Sequence, residues 1–242
     1  MKKICLNYHN LGYNPQFGIN KVHPINFKNH IDIINNEIDK DPNLDVSITF
    51  DDGYENIYRF AFDYLNESRI KKKIIFPITD YIGRYNDWDS TFFLNTYKHL
   101  NQEQIKLFSD GGWEIGSHCA THRFLDSISS DEIRDELINS KDVIEQLTGK
   151  EVVSIAPPFG VLNQRVYDHC LNAGYKNIYV QKHDNIKESL EITIVRRNNI
   201  YSIDRSDSII RKINSDRREK MKEDCITSLN TVTRFLNRFT SK

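Results

Sequence analysis

The fold of this chain is decided by residues 46–54, which read VSITFDDGY. The run begins as an apolar, β-branched segment, which is typical of a buried strand. It ends in two adjacent carboxylates, Asp51 and Asp52, followed by Gly53. Successive side chains of a strand point to opposite faces, so both carboxylates share one site only if the backbone turns, and glycine permits such a turn. Alone, the pair fits equally well a strand that stops at a helix N-cap.

Strand-like and helix-like patterns alternate about seven times along the rest of the chain. The predicted strands are 3–8, 46–50, 73–78, 113–116, 152–155, 177–180 and 192–195, and the predicted helices are 24–39, 55–67, 101–110, 130–147 and 164–173. This alternation predicts parallel strands with helical crossovers, and hence a single-domain α/β protein built as a doubly wound sheet or a barrel. Residues 79–100 lack a clear period and are interpreted as an insertion that forms one wall of a cleft.

The bulk composition describes a globular protein without an obvious macromolecular partner. The 242 residues are 38% hydrophobic and 28% charged, with a formal net charge of −1, so nothing global indicates binding to nucleic acid. No apolar run approaches the roughly 20 residues of a membrane span, and the first residues lack the apolar core of a signal peptide. We therefore expect a cytoplasmic location. The four cysteines show no paired spacing and are expected to be free thiols.

Residues 205–242 differ from the rest, with ten Lys or Arg and five Asp or Glu. An apolar stripe at helical spacing runs through Cys225, Leu229, Val232, Leu236 and Phe239. We interpret this segment as a basic amphipathic helical extension packed on or beside the body of the protein. A helix lying on a membrane surface and a dimer seam are the alternatives, and the oligomeric state is left open.

A second polar cluster occurs in SHCATH, residues 117–122, just beyond a predicted strand. Two neutral imidazoles, His118 and His122, suit Zn²⁺ and related ions, and one carboxylate would complete a three-ligand site with a position left open for water. By itself the spacing is more often that of two ordinary surface histidines. In an α/β barrel, however, all strand ends open onto one face, so Asp51 and Asp52 would meet the two histidines there.

Three motifs give the chain its resemblance to a known family. They are TFDDG at residues 49–53, SHCATH at 117–122 and PFG at 158–160. With Tyr8-His9 at the start and residues up to about 201, they resemble the polysaccharide deacetylase family, carbohydrate esterase family 4. The second motif departs from the family pattern H-[ST]-x-x-H, because Cys119 replaces Ser or Thr.

The resemblance implies a distorted (β/α)7-type barrel over residues 1–204, which removes N- or O-acetyl groups from amino sugars with one divalent ion. The ion would be Zn²⁺, with Co²⁺, Ni²⁺ or Mn²⁺ as alternatives. Asp52, His118 and His122 are implied as its ligands and Asp51 as the general base. Amide hydrolysis agrees with these roles, since an ionised Asp51 beside a cation can accept a proton from water.

The third motif suggests how the developing oxyanion is stabilised. Its loop, Pro157 to Gly160, is stiffened by two prolines. The backbone N–H of Phe159 is therefore a candidate oxyanion donor, and Pro158 a candidate substrate contact. Without the family resemblance, the same four residues would be interpreted as an ordinary rigid turn.

Two departures from the family pattern concern residues that would handle substrate and protons. Many members have Arg where this chain has Ala156, and the family's later L-H-[DS] motif, whose histidine is the general acid, is missing. His183 is either a substitute acid or a polar loop residue. Arg196 and its neighbour Arg197 would brace Asp51, contact substrate, or form a surface pair, and Arg196 is taken as the candidate substrate contact.

His9 and Trp88 complete the candidate site. His9 ends the first predicted strand and is expected to support the site from behind the ligands. Trp88 and its aromatic neighbours suit stacking on a sugar ring, although such loops often serve packing alone. The predicted function is thus metal-dependent deacetylation of an N-acetylated sugar in a polysaccharide, an oligosaccharide or a lipid-linked saccharide. A non-catalytic sugar-binding relative is one alternative, and a non-haem iron oxygenase with two histidines and one carboxylate is another.

Overall fold

The computed structural model describes residues 1–13, 19–86, 96–223 and 225–226. The predicted contact Trp88 and most of the predicted C-terminal apolar stripe lie outside these residues. The strands are β1 Lys2–Tyr8, β2 Asn10–Leu11, β3 Lys21–Val22, β4 Leu44–Phe50, β5 Lys72–Ile75, β6 Glu114–Ile115, β7 Ser154–Ile155, β8 Val161–Leu162, β9 Asn177–Val180, β10 Lys182–His183, β11 Thr193–Arg196 and β12 Asn198–Asn199. The helices are α1 Pro24–Lys40, α2 Asn56–Asn66, α3 Gln102–Asp110, α4 Ser130–Thr148, α5 Gln164–Asn172 and α6 Ser206–Ile213.

Parallel strands of the described residues close into a barrel. One sheet has the order β12-β1-β4-β5-β6, and another has the order β11-β9-β7. The backbone N–H of Ser117 donates to Ser154 at 3.0 Å and so joins β6 to β7. On the other side β11 continues through Arg197 into β12, which pairs with β1. The predicted (β/α)7-type barrel is confirmed.

The register of the two central strands decides what emerges at the open end of the barrel. β1 and β4 pair in parallel over seven residues, from Lys2 opposite Leu44 to Tyr8 opposite Phe50. The backbone N–H of Asp51 then donates to the carbonyl of Tyr8 at 3.0 Å. Because both strands end at the same level, His9 and Asp51 leave the sheet side by side, although 42 residues separate them.

Helix ends follow local signals in the sequence. Helix α4 begins after Ser129, whose side chain accepts from the backbone N–H of Glu132 while Glu132 reaches back, so the two form a capping box. The sequence analysis placed the helix start correctly but did not recognise this box one residue earlier. The helix ends at Gly149, whose φ of 67° lies in the left-handed region that glycine adopts without strain.

The start of the basic C-terminal segment is tied to the barrel by buried charges. Helix α6 packs against α1, and a further helical segment covers residues 217–223. The Lys212 side chain is almost fully buried, and its Nζ lies 3.0 Å from a carboxylate oxygen of Glu223 and 3.8 Å from one of Asp204. Within the described residues, no helix combines the length and apolar character that crossing a membrane requires. The membrane or dimer role of residues 205–242 stays a prediction.

Candidate active site

The structure brings the three predicted metal ligands together at the open end of the barrel. Nε2 of His118 lies 3.4 Å from Oδ1 of Asp52, and Nε2 of His122 lies 3.6 Å from the same oxygen. One ligand atom from each residue falls within 4.8 Å of the other two. Ligands at about 2.0–2.1 Å from a tetrahedral Zn²⁺ are about 3.4 Å apart, so this donor set fits a divalent ion of that kind.

A backbone turn after β4 directs the two neighbouring carboxylates to one site. Asp52 has a φ of 66°, and Gly53 follows with a φ of 70°. A Cβ at Gly53 would lie 2.9 Å from the Cα of Pro77, so the turn has no room for a side chain there. The left-handed conformation of Asp52 is sparsely populated for residues other than glycine, and such conformations cluster at functional sites.

The loop that carries His118 and His122 is held from below by Glu136 of helix α4. One Glu136 carboxylate oxygen accepts hydrogen bonds from the backbone N–H groups of Ala120 and Thr121, each at 2.9 Å, and the Thr121 hydroxyl donates to the other. Glu136 is buried. Sequence analysis did not single it out, although an acidic residue on the apolar face of a predicted helix is a usable signal.

The ring of His118 is oriented by the strand next to its own. Its Nδ1 donates to the carbonyl of Ala156 at 2.5 Å, which leaves Nε2 to face Asp52. A hydrogen bond of this kind selects the tautomer and orientation of a metal-binding histidine. Ala156 occupies the position where many family members have Arg, and here its backbone carbonyl contributes to the site regardless of its side chain.

Asp51 is held by Arg197 rather than by Arg196. Nη1 of Arg197 lies 2.6 Å from Oδ1 of Asp51 and Nη2 lies 3.0 Å from Oδ2, which is a bidentate contact between two buried side chains. Asn7, a polar residue inside β1, donates its side-chain N–H to Oδ2 at 2.9 Å. Arg196 is exposed and lies outside this network, so its contact with substrate stays a prediction.

The carboxylates are kept ionised by their neighbours. Burial alone would raise the pKa of Asp51, but the charges of Arg197, His118 and His9 hold it below its usual value. Burial would likewise raise the pKa of Asp52, but the hydrogen bond from His118 and the nearby imidazoles hold it low. Both groups therefore remain anionic at neutral pH, as a cation ligand and a proton acceptor must.

The two imidazoles respond in opposite directions to the same surroundings. Burial would lower the pKa of His118, but the carboxylates of Asp51 and Asp52 raise it overall. Burial and the neighbouring His118 lower the pKa of His122 to about 3. In the absence of an ion, a proton at this site is therefore held on His118, while His122 is already in the neutral form that a metal ion binds.

His9 lies in the site, whereas His183 does not contact it. Nε2 of His9 is 3.8 Å from Oδ2 of Asp51, and its buried Nδ1 has no hydrogen-bond partner among the described residues. His183 is exposed in β10, where its Nδ1 donates to the carbonyl of Asp184 at 2.8 Å. No hydrogen bond or ion pair within the described residues joins His183 to Asp51 or to the three ligands. Its role as an acid is a prediction that this geometry does not support.

The Pro-Phe-Gly loop borders the candidate metal site. The Phe159 ring packs against the His122 ring with centroids 5.2 Å apart, and Phe159 has a φ of 65°. A Cβ at Gly160 would overlap the Gln181 side chain, so the loop is fitted closely to the neighbouring strand. Pro158 is buried. The backbone N–H of Phe159 as an oxyanion donor and Pro158 as a substrate contact stay predictions.

Comparisons with known proteins agree with this arrangement. The family model described as polysaccharide deacetylase matches residues 39–178. Over 137 residues, 55% of this chain and 45% of the relative, the chain is 30% identical to the peptidoglycan-N-acetylmuramic acid deacetylase PdaA of Bacillus subtilis. It is 24% identical over 144 residues, 59% of each chain, to a peptidoglycan-N-acetylglucosamine deacetylase of Bacillus cereus. The chain thus spans about half the length of the curated relatives it matches.

Solved structures share the fold at low sequence identity. A polysaccharide deacetylase from Bacillus cereus superposes with a TM-score of 0.70 at 23% identity, over 88% of this chain and 69% of that one. The deacetylase PplD from Streptococcus pyogenes gives a TM-score of 0.69 at 18% identity, over 88% and 98% of the two chains. The fold, the three motifs and the match to the family model lead to one conclusion: this chain belongs to the polysaccharide deacetylase family.

Proposed function

We propose that the protein is a metal-dependent deacetylase that hydrolyses the N-acetyl group of an amino sugar. The observation that carries the proposal is that two adjacent carboxylates, Asp51 and Asp52, have different kinds of partner. Asp52 faces two imidazole nitrogens, whereas Asp51 faces a buried guanidinium and lies beside His9. The family's relatives, which include two peptidoglycan deacetylases, support a carbohydrate amide as substrate.

Asp52, His118 and His122 would hold the divalent ion, with Zn²⁺ the best match to two imidazoles and one carboxylate. A divalent ion bound there supplies a water of lowered pKa and polarises the acetyl carbonyl. Asp51 accepts the proton of the attacking water, since it is ionised and held in one orientation by Arg197. The amide C–N bond then breaks, and the nitrogen leaves as the free amine, with acetate as the second product.

The departing nitrogen needs a proton, and we assign its donor to His9. Its imidazole lies next to the proton acceptor Asp51, and its side chain is 18% exposed, so it reaches the open end of the site. A general acid must lie within hydrogen-bond reach of the group it protonates. His183 is on an exposed strand, and in the part of the chain that the structure describes it forms no hydrogen bond or ion pair with the site residues. His9 thus takes the role for which the sequence pattern offered only His183.

The test is acetate release from N-acetylglucosamine oligomers by the purified protein, with Zn²⁺, Co²⁺, Ni²⁺ or Mn²⁺ supplied after chelation. We expect metal-dependent release in the wild type. In Asp51→Asn we expect the bound metal to remain while the rate falls by at least about 100-fold, because the proton acceptor is lost.

The same experiment separates the alternatives. A sugar-binding relative would bind the oligomers and release no acetate with any of the four metals. An oxygenase would use the two histidines and Asp52 but would not require Asp51, so Asp51→Asn would retain an Fe²⁺-dependent consumption of oxygen. Either result would contradict the proposed function.

A further inference from the structure

Lys21 is a buried cation for which the described part of the chain supplies no carboxylate partner. Only 7% of the residue is exposed. Its Nζ donates to the hydroxyl of Tyr97 at 3.2 Å and lies 4.7 Å from the centroid of the same ring. Among the residues that the structure describes, no carboxylate forms an ion pair with it, and burial lowers the pKa of its ammonium group. A buried charge is costly unless it is paired, so the group calls for an explanation.

A second buried donor lies beside Lys21. Asn10 and Lys21 are register partners in the parallel pair β2 and β3. Asn10 is 1% exposed, and its Oδ1 accepts from Nδ2 of Asn56 at 3.2 Å. Its own Nδ2 has no hydrogen-bond partner in residues 1–13, 19–86, 96–223 and 225–226. A buried N–H group without a partner costs about 1–3 kcal/mol. Two N–H donors with unused capacity, one of them charged, therefore occur at the same level of the barrel mouth.

Gly12 leaves room for the Lys21 side chain beside these donors. A Cβ at Gly12 would lie 2.5 Å from Cε of Lys21 and 3.7 Å from Nδ2 of Asn56. Position 12 therefore has no room for a side chain, because the aliphatic part of Lys21 and the amide of Asn56 lie close to it. We call Asn10, Gly12, Lys21 and Asn56 the Lys21 cradle. Its polar atoms are mainly N–H donors, and such a set suits an anion rather than a cation or a neutral amide.

The Lys21 cradle adjoins the candidate active site by two routes. Asn10 directly follows His9, whose Nε2 is 3.8 Å from Asp51. On the other side, the rings of Tyr97 and Tyr54 have centroids 5.8 Å apart. Tyr54 in turn packs on His99, whose Nδ1 donates to the backbone carbonyl of Asp52 at 2.8 Å. A substituent of a sugar bound over Asp51 is therefore the natural source of the missing charge.

We propose that the Lys21 cradle binds an oxyanion carried by the substrate, so that the preferred substrate is an acetylated amino sugar bearing a carboxylate or phosphate group. This inference rests on the proposed function, since it concerns the specificity of the same site. The rival explanation is that Lys21 only supports the Tyr97 ring through the cation–π contact. The two explanations differ in whether removal of the charge changes the choice between anionic and neutral sugars.

The first experiment compares three disaccharides of N-acetylglucosamine: unmodified, with a lactyl ether carboxylate, and with a 6-phosphate. In the wild type we expect kcat/KM to be higher for one or both of the anionic sugars. In Lys21→Met we expect the ratio of anionic to neutral kcat/KM to fall about tenfold or more, as for loss of a hydrogen bond to a charged group. Lys71→Met, which removes an exposed charge at the opposite end of the barrel, should leave this ratio unchanged.

Asn10→Asp gives a second test that does not remove a side chain. The new carboxylate lies beside Lys21 and takes the place of the substrate anion. The variant should therefore fold, and its ratio of anionic to neutral kcat/KM should fall. Comparing the disaccharide that carries the lactyl ether carboxylate with the one that carries the 6-phosphate shows which of the two anionic groups the Lys21 cradle prefers. An unchanged ratio in both Lys21→Met and Asn10→Asp would overturn the inference.

A binding measurement separates failure of this inference from failure of the proposed function. Calorimetric titration with inorganic phosphate and, separately, with D-lactate requires no turnover. We expect at least one of them to bind the wild type and Lys71→Met alike, and to bind Lys21→Met about tenfold more weakly. If the wild type releases no acetate but this difference holds, only the proposed function fails. If acetate is released and the three proteins bind both anions equally, the Lys21 cradle is not an anion site.

Discussion

Arg197 donates hydrogen bonds to both carboxylate oxygens of Asp51, with Nη1 2.6 Å from Oδ1 and Nη2 3.0 Å from Oδ2. A bidentate contact of this kind fixes the plane of the carboxylate as well as its charge. The low pKa of Asp51 makes it an intrinsically weak base, so its value to the reaction lies in being ionised and correctly oriented. In the proposed reaction, the Arg197 guanidinium therefore positions Asp51 as the proton acceptor.

Arg197→Lys is expected to lower kcat by about 10- to 100-fold while the bound metal is retained, because a lysine keeps the charge but holds only one oxygen. Steady-state kinetics and metal analysis of the purified variant measure both effects. Arg134→Lys is the matched control, since Arg134 is exposed on helix α4 and has no assigned role in the site, and it should retain wild-type kcat. Equal losses in the two variants would show that Arg197 does not act through Asp51.

Arg197→Met is expected to cost about 3–5 kcal/mol in the free energy of unfolding, because it leaves the buried Asp51 charge without its partner. Urea titration of the metal-free protein measures this loss. The double variant Arg197→Met with Asp51→Asn should regain part of it, since the unpaired charge is then gone. A double variant no more stable than Arg197→Met alone would contradict this account of the pair.

Glu136 is expected to control metal affinity without touching the ion. Glu136→Gln replaces a carboxylate that accepts from two backbone N–H groups of the histidine loop by an amide that also carries donors. Changes of this kind behind the ligands typically cost about 10- to 100-fold in metal affinity. Competition with a chelator of known affinity measures the effect for Zn²⁺. Asp135→Asn, on the exposed side of the same helix, should bind Zn²⁺ as the wild type does.

The two candidate acids give opposite expectations. His9→Gln should lower kcat by about 100-fold or more, because the leaving nitrogen loses its proton donor. His183→Gln should remain within about twofold of the wild type, since His183 is exposed and its Nδ1 donates to the carbonyl of the adjacent Asp184. A large loss in His183→Gln with none in His9→Gln would reverse the assignment.

His30 is expected to make the folded state sensitive to acid. It is buried between the Tyr8 hydroxyl, at 3.3 Å, and the carbonyl of Asp204, at 3.2 Å, and burial lowers its pKa from the ordinary 6.5. Below pH 6.5 the unfolded chain therefore binds more protons at this residue than the folded chain does. The contribution of His30 to the free energy of unfolding is therefore fully present above pH 6.5, and it is lost as the pH falls toward the lower pKa of His30 in the folded protein.

Denaturant titrations from pH 7.5 to 5 measure this effect. Wild type and His183→Gln should lose stability in parallel as the pH falls, whereas His30→Gln should lose less over the same range. The comparison is made on the slope, because His30→Gln also loses hydrogen bonds at every pH. Parallel slopes in all three proteins would contradict the expected role of His30.

The amino-acid sequence established the parallel α/β pattern and the candidate metal ligands, and the resemblance of its motifs to a known family selected the barrel. Local patterns can be recognised from the sequence without knowledge of the fold. Three such patterns were used: the alternation of strands and helices, the turn at Gly53, and the two histidines four residues apart. The parallel barrel then required that Asp52, His118 and His122 share one end. The capping box of α4, formed by Ser129 and Glu132, is likewise a local pattern of the sequence.

The tertiary structure selected the supporting side chains where the sequence left alternatives open. Asp51 and Arg197 are 146 residues apart, and the choice between Arg197 and Arg196 depends on which neighbour points inward at the junction of β11 and β12. The parts of His9, Glu136 and Lys21 likewise follow from closure of the barrel. Such contacts leave no periodic trace, because distant segments meet only when parallel strands align in register and bury polar groups that must then find partners.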